Sequence, residues 1–208
     1  MGYKLLAFNL FRGDLTDLPS ERLLMTTLNA HSYNVSRCDL GFREALKNSD
    51  VLVPDGVGVV WAMRFLYGQR LKKISGADIF AYEMQRLNLN GGKAFFLGST
   101  DDTLSKIADK CAIQYPNIRV STYSPPFRSD FSAHESSDMI AIINDFAPDV
   151  LFIGMTAPKQ EKWAYQFKEQ LAVGHICCIG AVFDFYAGRI KRAPDIFIKM
   201  GLEWFWRL

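Results

Sequence analysis

The 208-residue chain has little net charge, few histidines and no long apolar run. Each shortage closes off a class of function. A net charge of +2 is too mild to mark a nucleic-acid surface, so no nucleic acid partner is expected. The four cysteines, Cys38, Cys111, Cys177 and Cys178, include no CxxC pair. The three histidines, His31, His134 and His175, show no metal spacing. No metal site is indicated, and the cysteines read as reduced, buried thiols of a cytosolic protein. The uncharged run from Leu171 to Phe183 is shorter than the roughly 20 residues a spanning helix needs, and reads as a buried strand. The opening KLLAFNLF is too short and too interrupted for a signal peptide, and no small-residue cleavage site follows. A cytoplasmic chain is expected, with contact to a membrane surface left open. GxGxxG and Walker sequences are also missing, which disfavours an NAD-dependent enzyme. No Ser-His-Asp or Cys-His set can be argued from the histidine positions, so a carboxylate is the better candidate base.

What is present is a core. Hydrophobic residues make up 49% and charged residues 22%, which excludes disorder, and the length suits one domain. The second half alternates apolar runs with helical spacing. AFFLGS, IRVSTYS, DVLFIG and HICCIGAVF read as strands. Residues 101–115, residues 134–147 and KQEKWAYQFKEQL read as helices between them. The apolar face of the second is Met139, Ile142, Ile143 and Phe146. In the first half LLMTTLN and VLVP read as strands and residues 33–47 as a helix. A further helix starts near Gly56, and SGADIFAYEMQRL makes another behind Ser75 as a cap. The expectation is an α/β fold, a single Rossmann-like domain with a mostly parallel sheet of about six strands covered by helices.

Ligands in such sheets collect beyond the carboxyl ends of the strands. Those ends deliver Thr27 and Asn29, Asp55 and Gly56, Gly98 and Ser99, Pro125 to Phe127, Gly154 to Gln160, and Asp184. In VLVPDGVG the chain leaves an apolar strand through Pro54 and presents Asp55 beside glycine, which is either a tight turn or a working carboxylate. LGSTDD joins a strand to a helix whose first N–H groups can hold a phosphate, with Gly98 allowing its approach. The plainer reading is a turn capped by Thr100 or Asp101. Lys159 at a helix start opposes the helix dipole unless an anion is near, or else it is simply solvated. Asp184, between two phenylalanines at a strand end, either caps a helix or accepts hydrogen bonds from a ribose or base. Arg189, Lys191 and Arg192 form a small basic cluster, either a solvated face or an attractant for phosphate.

Several segments in order, TLN, PDGVGVVWA, SGAD, FFLGS, PPF, PDVLFIGMTAPKQEKW, GAVFDFYAG and RAPDIFIKMGLEWFWRL, resemble the WecG/TagA/CpsF family of bacterial glycosyltransferases over nearly the whole chain. The resemblance implies an inverting, metal-independent enzyme without a cofactor. It would move a sugar of the N-acetylmannosamine, N-acetylmannosaminuronic acid or glucose type from a UDP-sugar to a polyprenyl-diphosphate-linked saccharide. The work would take place at the inner face of the cytoplasmic membrane, in teichoic acid, capsule or exopolysaccharide synthesis. It implies one domain over residues 1–208, with the acceptor and catalytic side in the first half and the nucleotide side in residues 92–190. A basic membrane-binding tail usual in the family is expected to be missing. By resemblance Asp55 is the base, with Thr27 and Gln160 in the same pocket and Asn29 beside them. Asp184, Gly98 and Ser99 hold the nucleotide and Phe127 flanks the base. Gly56, Gly76, Asp78, Gly154, Lys159 and Arg192 complete the binding set. Lys72 and Lys73 stand where the family carries an arginine upstream of SGAD. A homo-oligomer is compatible with the sequence. The rival reading is a non-catalytic UDP-sugar-binding module that regulates or partners another transferase.

Overall fold

The computed structural model describes residues 8–190. The first half contributes strand β1 (Leu23–Leu28), helices α1 (Ala30–Ser36) and α2 (Leu40–Lys47), strand β2 (Val51–Pro54), and helices α3 (Val57–Tyr67) and α4 (Gly76–Asn90). The second half alternates strictly through β3 (Lys93–Gly98), α5 (Asp101–Gln114), β4 (Arg119–Tyr123), α6 (Ala133–Phe146), β5 (Val150–Gly154), α7 (Lys159–Phe167), β6 (His175–Cys178) and α8 (Val182–Tyr186). The six strands form one sheet in the order β2-β1-β6-β5-β3-β4, and every pairing is parallel. This is the α/β class and strand number that the alternation predicts.

Parallel strands are buried on both faces, so successive side chains enter different cores. Phe96, Phe152 and Cys177 pack with Phe80 and Met84 of α4 and Ile107 of α5. Phe95, Leu151, Ile153 and Cys178 pack on the other side with Met139 and Ile143 of α6 and Trp163 of α7. A third cluster joins Leu28 and Leu52 to Phe42 and Leu46 of α2 and to Val59 and Met63 of α3. Cys111, Cys177 and Cys178 are buried free thiols, but Cys38 is exposed. At the amino end of β6, buried His175 bonds Glu83 Oε1 through Nδ1 at 2.7 Å and the Pro19 carbonyl through Nε2 at 3.0 Å. Arg86 donates twice to Glu83 Oε2, at 2.9 and 2.7 Å.

Caps set the helix limits. Ser75 and Asp78 form a reciprocal box at the start of α4, and Ser132 and Glu135 do so for α6. The expected helix over residues 33–47 is instead two. Asn29 Oδ1 accepts from Ser32 N–H at 2.9 Å and starts α1, while Asp39 Oδ1 accepts from Phe42 N–H at 2.9 Å and starts α2. A carboxylate that caps a second helix interrupts what periodicity reads as one. On α6 Met139 and Ile143 are buried as expected, but Ile140 joins them in place of Ile142, which is exposed. The last strand stops at Cys178 rather than running on to Phe183. Gly180 at φ +53° turns the chain, and Val182–Tyr186 is a short helix. Asp184 therefore stands on α8 and not at a strand end.

Candidate active site

Connectivity opens the site. After β3 the chain moves outward to β4, whereas after β5 it moves inward to β6. The helices that follow, α5 and α7, leave on opposite faces of the sheet. A crevice results between neighbouring carboxyl ends, where ligands bind in open α/β sheets. Here it is part of a cleft of about 1040 Å³. Its walls bring together Thr27, Asn29, Asp55, Gly76, Ser99, Phe127, Gly154, Lys159, Gln160 and Asp184, which are far apart in sequence. The helix starts behind β2, β3 and β5 point their unpaired N–H groups toward the same end of the sheet, giving it positive partial charge.

Asp55 is held at the cleft by its own backbone. Its N–H donates to Leu28 O at 2.9 Å, and Pro54 O accepts from Ile74 N–H at 3.1 Å, so the end of β2 is pinned from two sides. Gly56 follows at φ +93°, a conformation that disfavours any side chain, and an added Cβ would meet nothing nearer than Asn29 Cβ at 4.0 Å. Backbone is thus open to approach beside the carboxylate. Asn29 spends its side-chain oxygen on the α1 cap.

The glycines at the β3–β5 switch serve another purpose. Gly98 is buried at φ +119°, and a Cβ there would lie 2.6 Å from the Gly154 carbonyl oxygen. A Cβ on Gly154 would lie 2.4 Å from the Phe183 ring. Packing within the protein therefore demands glycine at both positions. Gly76 likewise lets α4 start against the turn after β6, where a Cβ would be 3.2 Å from Ile179 O. Thr100 caps α5 through Thr103 N–H at 3.3 Å, so the capped-turn reading of LGSTDD holds locally. Arg189, seen in the sequence only as part of a basic cluster, lays its guanidinium over that cap. Its Nη1 donates to Thr103 Oγ1 at 2.7 Å and lies 3.9 Å from Asp184 Oδ1. A cation and the start of α5 thus face the cleft together.

Also in the lining, Gln160 is fixed at both ends of its amide. Oε1 accepts from Met155 N–H at 3.3 Å and Nε2 donates to Glu161 Oε1 at 2.8 Å. Glu161 is only 1% exposed and borders the cleft. Its Oε2 has no hydrogen-bond partner among the described residues. Burial pushes this carboxyl up from 4.5 to about 7, with the Gln160 amide opposing. The sequence reading missed Glu161, because a charged residue in a first helical turn reads as solvated. Lys159 Nζ donates to Arg128 O at 2.8 Å and lies 4.6 Å from the centre of the Phe131 ring. It thereby tethers the loop that carries Phe127, which is fully exposed at the rim. Desolvation lowers the pKa of the Lys159 ammonium.

Three expected residues, Gly56, Gly98 and Asp78, are not part of the cleft lining. Asp78 belongs to the α4 cap, where its Oδ2 accepts from Ser75 N–H and Ser75 Oγ, each at 2.7 Å. It borders a smaller hollow with Asp14, Lys72 and Lys73. Arg192 lies outside the described residues. Among the described residues no group of three or more His, Cys, Asp or Glu side chains is placed to hold a metal ion.

Comparison with known proteins places the chain in a family. The chain is 29% identical over 185 residues to an N-acetylglucosaminyldiphosphoundecaprenol N-acetyl-beta-D-mannosaminyltransferase of Bacillus subtilis (strain 168), covering 89% of this chain and 70% of that protein. A protein with the same description from Staphylococcus aureus (strain NCTC 8325 / PS 47) is 28% identical over 188 residues, covering 90% of this chain and 72% of the relative. The profile of the glycosyl transferase WecG/TagA/CpsF family matches residues 13–208, and the chain belongs to that family.

Proposed function

We propose that this chain transfers an N-acetylmannosaminyl group from a UDP-sugar to a polyprenyl-diphosphate-linked N-acetylglucosamine, with inversion, at the cytoplasmic face of the membrane. The observation that carries the reading is Asp55, its backbone pinned in the lining of a cleft that also takes in helix starts and the Arg189 cation. The relatives supply the substrate class in their descriptions. Among the described residues no helix is long and apolar enough to cross a membrane.

Inversion needs one displacement at the anomeric carbon. The acceptor hydroxyl oxygen forms a bond to that carbon as the bond to the UDP oxygen breaks. The hydroxyl proton passes to the Asp55 carboxylate, a step that general base catalysis accelerates by roughly 10²–10⁴. Negative charge grows on the diphosphate, and we assign its stabilisation to the N–H groups at the start of α5 and to Arg189, without a metal ion. Thr27 and Gln160 position donor or acceptor hydroxyls, with the Gln160 amide preset by Met155 and Glu161.

The test is Asp55→Asn assayed with UDP-N-acetylmannosamine and a lipid-linked N-acetylglucosamine acceptor. Turnover should fall by about 10²–10⁴ while UDP binding is retained. Undiminished turnover would sink the base assignment. Wild-type binding of UDP without turnover on any of several donors would favour the non-catalytic module. Activity that collapses with EDTA would refute the metal-independent assignment.

A further inference from the structure

Helix α3 is apolar almost all the way round. Its inner face, Val59 and Met63, is buried against α2 and β2. Its outer face exposes Trp61 at 56%, Phe65 at 79% and Leu66 at 68%. Trp61 and Phe65 are four residues apart and so lie on one stripe. Single exposed apolar residues are normal, but three within an eleven-residue helix make a patch. The helix carries one charged residue, Arg64.

Charge in the segment that carries the patch has one sign. From Gly56 through Ala77 there is no Asp or Glu, and there are four cations, Arg64, Arg70, Lys72 and Lys73. Asp14 engages Lys72. Among the described residues neither Arg64 nor Arg70 makes an ion pair. Tryptophan and arginine beside exposed Phe and Leu are the composition of a surface that sits at an anionic lipid interface. A second copy fits less well. A two-fold contact through α3 would bring the same cations together, with no acid from this segment to meet them.

Position gives the patch a use. Helix α3 begins two residues after Asp55, and Trp61 and Phe65 lie about 6 and 12 Å along its axis from that start. We propose that the outer face of α3 docks on an anionic bilayer surface and so holds the Asp55 end of the cleft against the membrane. The proposal rests on the lipid-linked acceptor assigned above, since only such an acceptor makes this orientation useful.

The experiment is co-sedimentation of the full chain with vesicles of phosphatidylcholine alone or mixed with phosphatidylglycerol. Wild type should bind the anionic vesicles and not the neutral ones. Trp61→Glu/Phe65→Glu should bind at least about tenfold more weakly. Trp61→Ser/Phe65→Ser, a milder change, should fall between them, and circular dichroism with thermal melting verifies the fold of each. Equal anionic-vesicle binding by wild type and the folded double variants overturns the proposal. So does light scattering that shows a wild-type dimer made monomeric by the substitutions while vesicle binding persists, because the face would then be a self-association surface. Vesicle binding needs no donor sugar, so its loss in the variants supports docking whatever the transfer assay yields. With a water-soluble acceptor analogue the variants should turn over like wild type. No turnover by any of the proteins counts against the transferase reading, while the vesicle result still decides docking.

Discussion

Replacing Glu161 by glutamine should make the protein more stable at high pH and leave it nearly unchanged at low pH. The carboxyl is 1% exposed, its Oε2 has no partner among the described residues, and its pKa is pushed from 4.5 to about 7 by burial. Folding therefore raises its proton affinity. Between pH 4.5 and about 7 the folded state holds more protons than the unfolded state, so stability falls as pH rises through that window. The contribution is whole below pH 4.5 and lost above about 7. At about 1.4 kcal/mol per pH unit, that interval corresponds to about 3 kcal/mol. Glutamine is isosteric, cannot ionise, and can still accept from Gln160 Nε2. The stability difference between Glu161→Gln and wild type should thus grow by about 3 kcal/mol between pH 4.5 and 8, as read by urea unfolding at several pH values. Parallel profiles for the two proteins would refute the reasoning, since they would mean that Glu161 titrates alike in both states.

Three further outcomes follow from the packing and the hydrogen bonds. Glu83→Ala should cost about 3–5 kcal/mol in urea unfolding, because His175 and Arg86 lose the buried carboxylate they share. Gly154→Ala should cost about 1–3 kcal/mol, seen as a lower Tm and partly relieved by Phe183→Leu, since the new Cβ meets the Phe183 ring. Lys159→Met keeps the side-chain stem but removes the bond to Arg128 O, so trypsin should cut after Arg128 severalfold faster while the Tm hardly moves.

Much of this fold was legible because its signals are local. Alternating apolar runs and helical spacing gave all six strands and the α/β class, and the Ser75 cap and the VLVP stop fell where expected. The misreadings share a cause. Asp39, inside an apparently continuous helical pattern, caps a second helix, and Gly180 ends a run of apolar residues that reads as longer strand. In each case one residue's backbone or capping role outweighs the periodicity around it, and periodicity carries no record of that role.

The cleft was legible to a different degree for each kind of residue. Strand ends can be enumerated from sequence, and they deliver Thr27, Asp55, Ser99 and Gln160. Topology then does the gathering, because in a parallel sheet every carboxyl end faces the same side. The glycines show where that logic stops. Gly98 reads as a place where a phosphate could come close, but the Gly154 carbonyl already in contact excludes a side chain there, as the Phe183 ring does at Gly154. Close approach by a ligand and close approach by the protein leave the same mark in a sequence. Glu161 is the converse case, a charged residue whose value lies in being hidden. It fixes the amide of Gln160 from behind, so the orientation of a cleft residue depends on a neighbour that hardly touches solvent. Side chains that face a ligand can be inferred from where strands end. The groups that aim them follow from burial, which only the packed structure shows.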